Sequence, residues 1–535
     1  MRTNNFWRSL ISIGLAGCGG TTAPAVQIVA TVEVHTGDDS VRVGDSLQFI
    51  ATLRGQGGTV ITGRAITWSS SDTVAASVSP NGLVRGRSAG TSNITATADS
   101  VVGSKTLRVM APVDTVTIIP LSVTLGTGAR VTIRARLVDS TGVEFGGLAV
   151  GWSTSNPLRA TIDTGGVLSA LTPGTDTLYA TAERRTGSAT ATIRAVSLLS
   201  AGPGDVHTCA LSSDQMAFCW GGGGALIGDS TVSQADGPVA VVGIQSYVQV
   251  KGGVQHSCGL TIAGEVYCWG SNIYGQLGQS GVTQSTYPVA VQGGMTFRTI
   301  DVGYYFNCGL TSDSLAFCWG NNYGAAPVVV PGNIRYATLS IGEGQACGLT
   351  STGAAYCWGA NDEGELGDST QTSRLTPAPV VGGLTFKAIS TGGYHTCALT
   401  ASGSAYCWGL GNEGQIGIDT AINVTLNPVA VHGGLTFSAI TLGLYNTCGL
   451  ATTGTVYCWG TNFYGESGPN AGPLGGRSLV PVSVGITATS VAAGTKHVCA
   501  KTSNGVFCWG ADGSGELGDG RRTDSAVPVR VLSQP

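Results

Sequence analysis

Seven times between residues 209 and 510 the chain repeats one phrase: a cysteine, then a second cysteine ten residues on (nine in the last copy), set between an aromatic residue and Trp-Gly. The copies open at Cys209, Cys258, Cys308, Cys347, Cys397, Cys448 and Cys499, and close at Cys219, Cys268, Cys318, Cys357, Cys407, Cys458 and Cys508. Successive opening cysteines are 49, 50, 39, 50, 51 and 51 residues apart. A period of this size, with several short strands per unit, belongs to propeller blades rather than to helical solenoids.

One copy shows how the phrase folds. In Cys258 to Cys268, a three-residue loop over Ile262 to Gly264, with Gly264 in the left-handed region, sets Thr261 opposite Glu265 and Cys258 opposite Cys268. Directly cross-strand cysteines have β-carbons ~4.5 to 5.5 Å apart, close to what a disulfide accepts. The last copy loses one loop residue yet keeps Cys499 opposite Cys508. The alternatives are buried free thiols, since cysteine packs as a small apolar side chain, or zinc. Zinc needs four convergent ligands, which two cysteines per hairpin do not supply. Fourteen paired cysteines suit an oxidising compartment better than a reducing cytosol. No metal or cofactor is expected.

The fifteenth cysteine stands apart. Arg2 and Arg8 precede a short apolar stretch, Leu10 to Leu15, and Leu15-Ala16-Gly17-Cys18 resembles the lipobox of bacterial lipoprotein signals. The resemblance implies a signal peptide over 1–17, lipidation of Cys18 and a tether over 18–25. Gly19 after the cysteine favours the outer membrane or cell surface. Membrane attachment is then by lipid anchor, because no stretch approaches the ~20 apolar residues of a span.

Residues 26–195 contain no cysteine and hold two copies of another pattern. The first has Trp68 in Ile66 to Asp72, then Asn81-Gly82-Leu83-Val84, then Ala89-Gly90-Thr91 running into Ile94 to Ala98. The second has Trp152, Gly165-Gly166-Val167-Leu168, and Pro173-Gly174-Thr175 running into Leu178 to Ala182. Alternating β-branched residues bounded by Gly, Asn and Ser predict short antiparallel strands, with the lone Trp as a plug between two sheets. These copies resemble bacterial immunoglobulin-like domains of the invasin and intimin type. The boundaries are 26–111 and 112–195, and the domains read as adhesive modules or as a spacer.

In the repeats, Gly stands five residues before every opening cysteine, His two before it in four (His207, His256, His395, His497), and Gly-Gln-Leu-Gly or a variant follows Trp-Gly in several. This combination resembles the regulator of chromosome condensation repeat. The resemblance implies a seven-bladed propeller over 196–535, with the strand near Val196 to Ala201 beside that near Val527 to Leu532. The fold class is therefore all-β: two Ig-like sandwiches, then a propeller. With 83 Gly, 19 Pro and 11% charged residues in 535, the composition agrees.

What the copies do not share bears on function. Between the fixed Gly and the His position lie two variable residues in each repeat. They supply Tyr304, Tyr305, Tyr394 and Tyr445, with Asp205 and Lys496 elsewhere in the ring. Equivalent loops share one face of a propeller, and tyrosines are frequent in recognition surfaces. The third repeat lacks the Gly-Gln-Leu-Gly stretch, which predicts a notch. Gly409 to Gly414 satisfies G-x-G-x-x-G, but it occupies the turn slot of sister repeats and precedes no helix. Lys plus Arg is 27 against 31 acidic residues with no basic run, so nucleic acid is not an expected partner. No nucleophile elbow, paired catalytic carboxylates or phosphate-binding loop is present, so no enzyme activity is expected. The expectation is a surface lipoprotein whose propeller binds an unknown protein or glycan. Guanine-nucleotide exchange, implied by the family name, and inhibition of a secreted or periplasmic enzyme are the alternatives.

Overall fold

The computed structural model describes residues 27–140, 142–145, 147–194, 198–230, 232, 234–243 and 246–532, with only the backbone of the strand Leu198–Pro203. The lipoprotein signal, the tether and Cys18 lie outside the described residues. Strands account for nearly all of the elements, and the one helical turn among the described residues is Gly224–Leu226. The chain divides into two compact units.

The first unit holds the first Ig-like sandwich. One sheet runs Thr31–Thr36, Ser46–Arg54, Leu83–Gly86, Ala76–Val78; the other runs Ser40–Arg42, Val101–Met110, Gly90–Ala98, Thr67–Ser70. Alternation puts Phe49, Val84, Ile94 and Leu107 inward, where they are buried. Trp68 is only half-buried; it meets Phe49 edge-on at 6.5 Å and touches the apolar clusters on both sides. It thus bridges the two clusters rather than sealing the core.

The second unit holds the second sandwich and the propeller. The sandwich repeats the order of the first: Gly151–Thr154, Gly174–Ala182, Arg185–Arg194, Ser122–Gly126 in one sheet, and Arg130–Thr132, Val167–Ala170, Ala160–Ile162 in the other. The strand Ala235–Ala240 of the first blade lies between them, pairing Val239 with Leu125 and Ala235 with Val131. All four side chains are buried. This sandwich is therefore continuous with the propeller through backbone pairing, which no pattern in either segment had announced.

Seven four-stranded antiparallel blades follow, each built from strands consecutive in sequence. Blade 3, for example, is Thr299–Val302, Phe306–Leu310, Ala316–Gly320 and Gly324–Val329. The two middle strands of each blade are buried on both faces, while most outer strands alternate. Each opening cysteine pairs in register with its closing cysteine, with Cα atoms 4.1 Å apart and a disulfide in every blade. Thr261 stands opposite Glu265 across a loop in which Gly264 has φ 83°.

Ring closure differs from the expectation. Leu198–Pro203 pairs within the first blade, and Ser525–Arg530 pairs within the last. No strand is exchanged, because each end already has a full set of four. Blade 7 meets blade 1 without a shared strand: Thr208 Oγ1 bonds His497 Nε2 at 2.7 Å and donates to the Glu516 carbonyl, Trp220 Nε1 donates to that same carbonyl, and Thr495 N donates to Gly204 O at 3.0 Å.

Candidate functional site

The repeated residues turn out to hold the blades together. His207, His256, His395 and His497 are buried, and each Nε2 lies 2.7 Å from a polar side chain of the next blade: Ser257, Asn307, Thr447 and Thr208. Burial pushes these imidazoles down to about 3 or 4, so they are neutral near pH 7. In two of the three copies without His the partner changes too, with Phe306 before Ala346 and Asn446 before Val498, while Gln345 precedes a threonine, Thr396. The fixed glycines form a second girdle. A Cβ on Gly253, Gly303, Gly342 or Gly392 would lie 2.3 to 2.4 Å from the carbonyl oxygen of the equivalent glycine one blade on. Only glycine permits so close an approach.

The glycine after each Trp serves the variable positions directly. It sits on a β-bulge with φ between 99° and 110°, and its neighbour's amide holds the carbonyl of the second variable residue. Asn321 N donates to Tyr305 O at 3.0 Å, Leu410 N to Tyr394 O at 2.9 Å, and Thr461 N to Tyr445 O at 3.0 Å. The frame thus fixes the backbone of the variable loops and leaves their side chains free to differ.

Those side chains gather on one face. Tyr394 stacks on Tyr445 with ring centroids 5.3 Å apart, and the Tyr394 hydroxyl reaches both Tyr445 and Glu343. Tyr305 lies edge-on to Tyr304 at 6.5 Å and to Tyr274 at 5.2 Å. Asp205 and Lys496 pair with one another at 3.5 Å, and Lys496 also sits 5.9 Å from the Tyr464 ring centre. Tyr304 departs from the expectation. It lines the central channel, a cavity of about 530 Å³ walled by the inner strands, and its hydroxyl is buried without a protein partner.

The notch predicted at the short blade is present, with a cavity of about 680 Å³. Tyr305, Asn321 and Asn322 of blade 3, Glu343, Asp362 and Glu363 of blade 4, and Tyr394 of blade 5 contribute to its wall. Six of the seven propeller tryptophans donate their indole N–H to a carbonyl in the loop of the preceding blade, at 2.8 to 3.2 Å. Trp358, which follows the short blade, is without such a partner. Tyr323 packs on Phe306 at 5.4 Å beside that indole, and burial pushes its hydroxyl up to about 12.

Tyr274 and Tyr464 were not singled out by sequence, whereas Glu343 stands at a variable position of the fourth repeat. Comparing the copies at the loop after Trp-Gly, as well as at the loop before the cysteine, would have found the first two. Gly409 to Gly414 is an interblade turn: a Cβ on Gly414 would meet Ser478 O of blade 6 at 2.7 Å. Among the described residues no group of three or more His, Cys, Asp or Glu is placed to hold a metal ion.

Models of the regulator of chromosome condensation (RCC1) repeat match residues 247–276, 297–324, 386–415, 437–466 and 488–516, and further matches cover 263–310 and 352–399. RCC1 repeats are present in this chain. A group 2 bacterial Ig-like domain is matched over 28–109. The RCC1 propeller is also what the solved structures show. Prp20p from Saccharomyces cerevisiae, studied for its binding to Gsp1p and histones, is 22% identical with a TM-score of 0.54, covering 60% of this chain and 87% of that one. Human WBSCR16 is 20% identical with a TM-score of 0.50, covering 57% and 87%. At such identities the likeness shows the fold. Ice-binding protein 1 of Shewanella frigidimarina (strain NCIMB 400) is 29% identical over 168 residues, and the chain spans 19% of that relative's length. An RCC1-repeat propeller is a binding or regulatory scaffold, and with an Ig-like domain it fits a surface binding role.

Proposed function

We propose that this chain is a non-enzymatic surface protein, lipid-anchored through Cys18, whose Ig-like pair serves as a spacer and whose propeller recognises a protein or glycan through its tyrosine-bearing face. One observation carries the reading. A frame of identical bonds holds the backbone of every variable loop, and the side chains on that frame bring Tyr305, Tyr394 and Tyr445 together with Tyr274 and Tyr464. Tyrosine supplies large contact area at low entropic cost together with a hydroxyl for hydrogen bonding.

The test is capture from surface extracts by the full chain and by a triple variant, Tyr305→Ala, Tyr394→Ala, Tyr445→Ala. The variant is expected to lose capture while its thermal midpoint stays within a few degrees. Retained capture would overturn the reading. Tyr304→Ala is the contrasting case, since that ring lines the channel: it should lower the midpoint more than it weakens capture.

A further inference from the structure

We propose that the notch beside the short blade receives an alkyl-guanidinium or alkyl-ammonium group, presented as a basic side chain of the partner that meets the aromatic face. The inference deepens the function proposed above and rests on that face being the recognition surface.

The chemistry of the wall selects the ligand. Glu343, Asp362 and Glu363 line the cavity, and its one cation, Arg374, is already held by Asp368 at 2.9 Å. The charge left over is negative, so a carboxylate or phosphate is repelled. Glu343 is half-buried; the Tyr394 hydroxyl reaches its carboxyl, but Oε2 is enclosed with no well-aligned donor and no cation beside it. A buried carboxylate oxygen without a donor is a cost the fold carries unless a ligand supplies that donor. Burial raises the Glu343 carboxyl above its ordinary range, and a neighbouring cation would reverse that shift.

The remaining walls suit the same group. Tyr305 and Tyr394 flank the opening, and aromatic faces attract cations. A guanidinium can lie flat on such a ring while its edge donates two parallel hydrogen bonds to a carboxylate. The cavity, at about 680 Å³, exceeds one side chain, leaving room for the chain on either side of the basic residue. A neutral sugar could stack on the tyrosines and donate hydroxyls to Glu343, but it would leave the negative charge of the wall unbalanced.

Calorimetric titration of the full chain tests this with N-acetyl-arginine amide, N-acetyl-lysine amide, the uncharged isostere N-acetyl-citrulline amide, and a pentapeptide with a central arginine. Arginine amide is expected to bind in the millimolar range, citrulline amide at least about tenfold more weakly, and the pentapeptide more tightly than either. Glu343→Gln, which keeps the side chain's shape, is expected to erase the difference between arginine and citrulline without moving the thermal midpoint. Equal binding of the two amides, or an unchanged preference in Glu343→Gln, would overturn the proposal. Equal affinity for pentapeptide and arginine amide would overturn the partner-borne source in favour of a free amine. Should the triple tyrosine variant lose capture while no basic probe binds, the recognition face stands and the cation site falls.

Discussion

The junction between blades 4 and 5 and the one between blades 3 and 4 are built from the same parts list, and only the first is complete. At blades 4 and 5 the loop after Trp-Gly reaches across, and its Glu365 carbonyl accepts bonds from both Trp408 and Thr396. At blades 3 and 4 the loop is missing, Tyr323 stands in its place, and the Trp358 indole N–H meets the Tyr323 hydroxyl in a loose contact where its sisters have a carbonyl. The difference teaches that one joint of the ring exchanged an indole-to-carbonyl bond for a looser contact with a hydroxyl, and that the space released opens on the face where the tyrosines collect.

The largest effect expected at the complete junction comes from Gly367→Ala. Its φ is +64°, and a Cβ would lie 2.7 Å from Trp408 Nε1. Left-handed strain and overpacking together should cost about 2 to 4 kcal/mol in urea unfolding; a loss below about 1 kcal/mol would mean the loop is not clamped. Next comes a matched pair. Trp408→Phe leaves the Glu365 carbonyl with Thr396 as its remaining donor and should cost about 0.5 to 1.5 kcal/mol beyond the same change at Trp358, where only a loose contact with the Tyr323 hydroxyl is lost. Equal losses at the two sites would break the comparison.

Glu365 offers a pH test of the same loop. Burial pushes its carboxyl up to about 7, while Gln276 and Gln415 fill the equivalent place without charge. A folded-state value above the unfolded one means that the folded protein holds the extra proton between about pH 4.5 and 7. The contribution is therefore fully present below that window and is lost as pH rises through 7. Glu365→Gln keeps the acceptor for the Glu363 amide and should be more stable than the parent by about 1 to 2 kcal/mol at pH 8, with the advantage gone at pH 4.5. A pH-independent difference would refute the assignment. The smallest effect is a repair: replacing Asn322 and Tyr323 by residues 272–283 of blade 2 should give Trp358 a carbonyl and add about 0.5 to 1.5 kcal/mol. The same graft should fill the notch and abolish arginine-amide binding.

Much of this was legible beforehand. Cys258 and Cys268 announced their register because a two-stranded hairpin with a glycine at its third loop residue has one natural pairing, and the missing loop of the third repeat announced the notch. The orientation of Tyr304 was not legible, since adjacent residues in a tight loop point oppositely and only the packed ring decides which enters the channel. Nor was the insertion of Ala235–Ala240 between the sheets of the second sandwich. That contact pairs segments more than a hundred residues apart through backbone atoms, which carry no residue code. The histidine row was legible as a pattern, but its purpose required seeing that each ring bonds a polar side chain of the next blade.

Because each blade is completed by strands that follow one another directly, the order of synthesis and the order of assembly can coincide. About fifty residues suffice to finish a blade and its cross-link, and loops so short close quickly. A ring that shared a strand between its ends would hold its first blade unfinished until the last residues emerged. Here the late event is a docking step, in which His497 finds Thr208 and a row of finished blades becomes a circle.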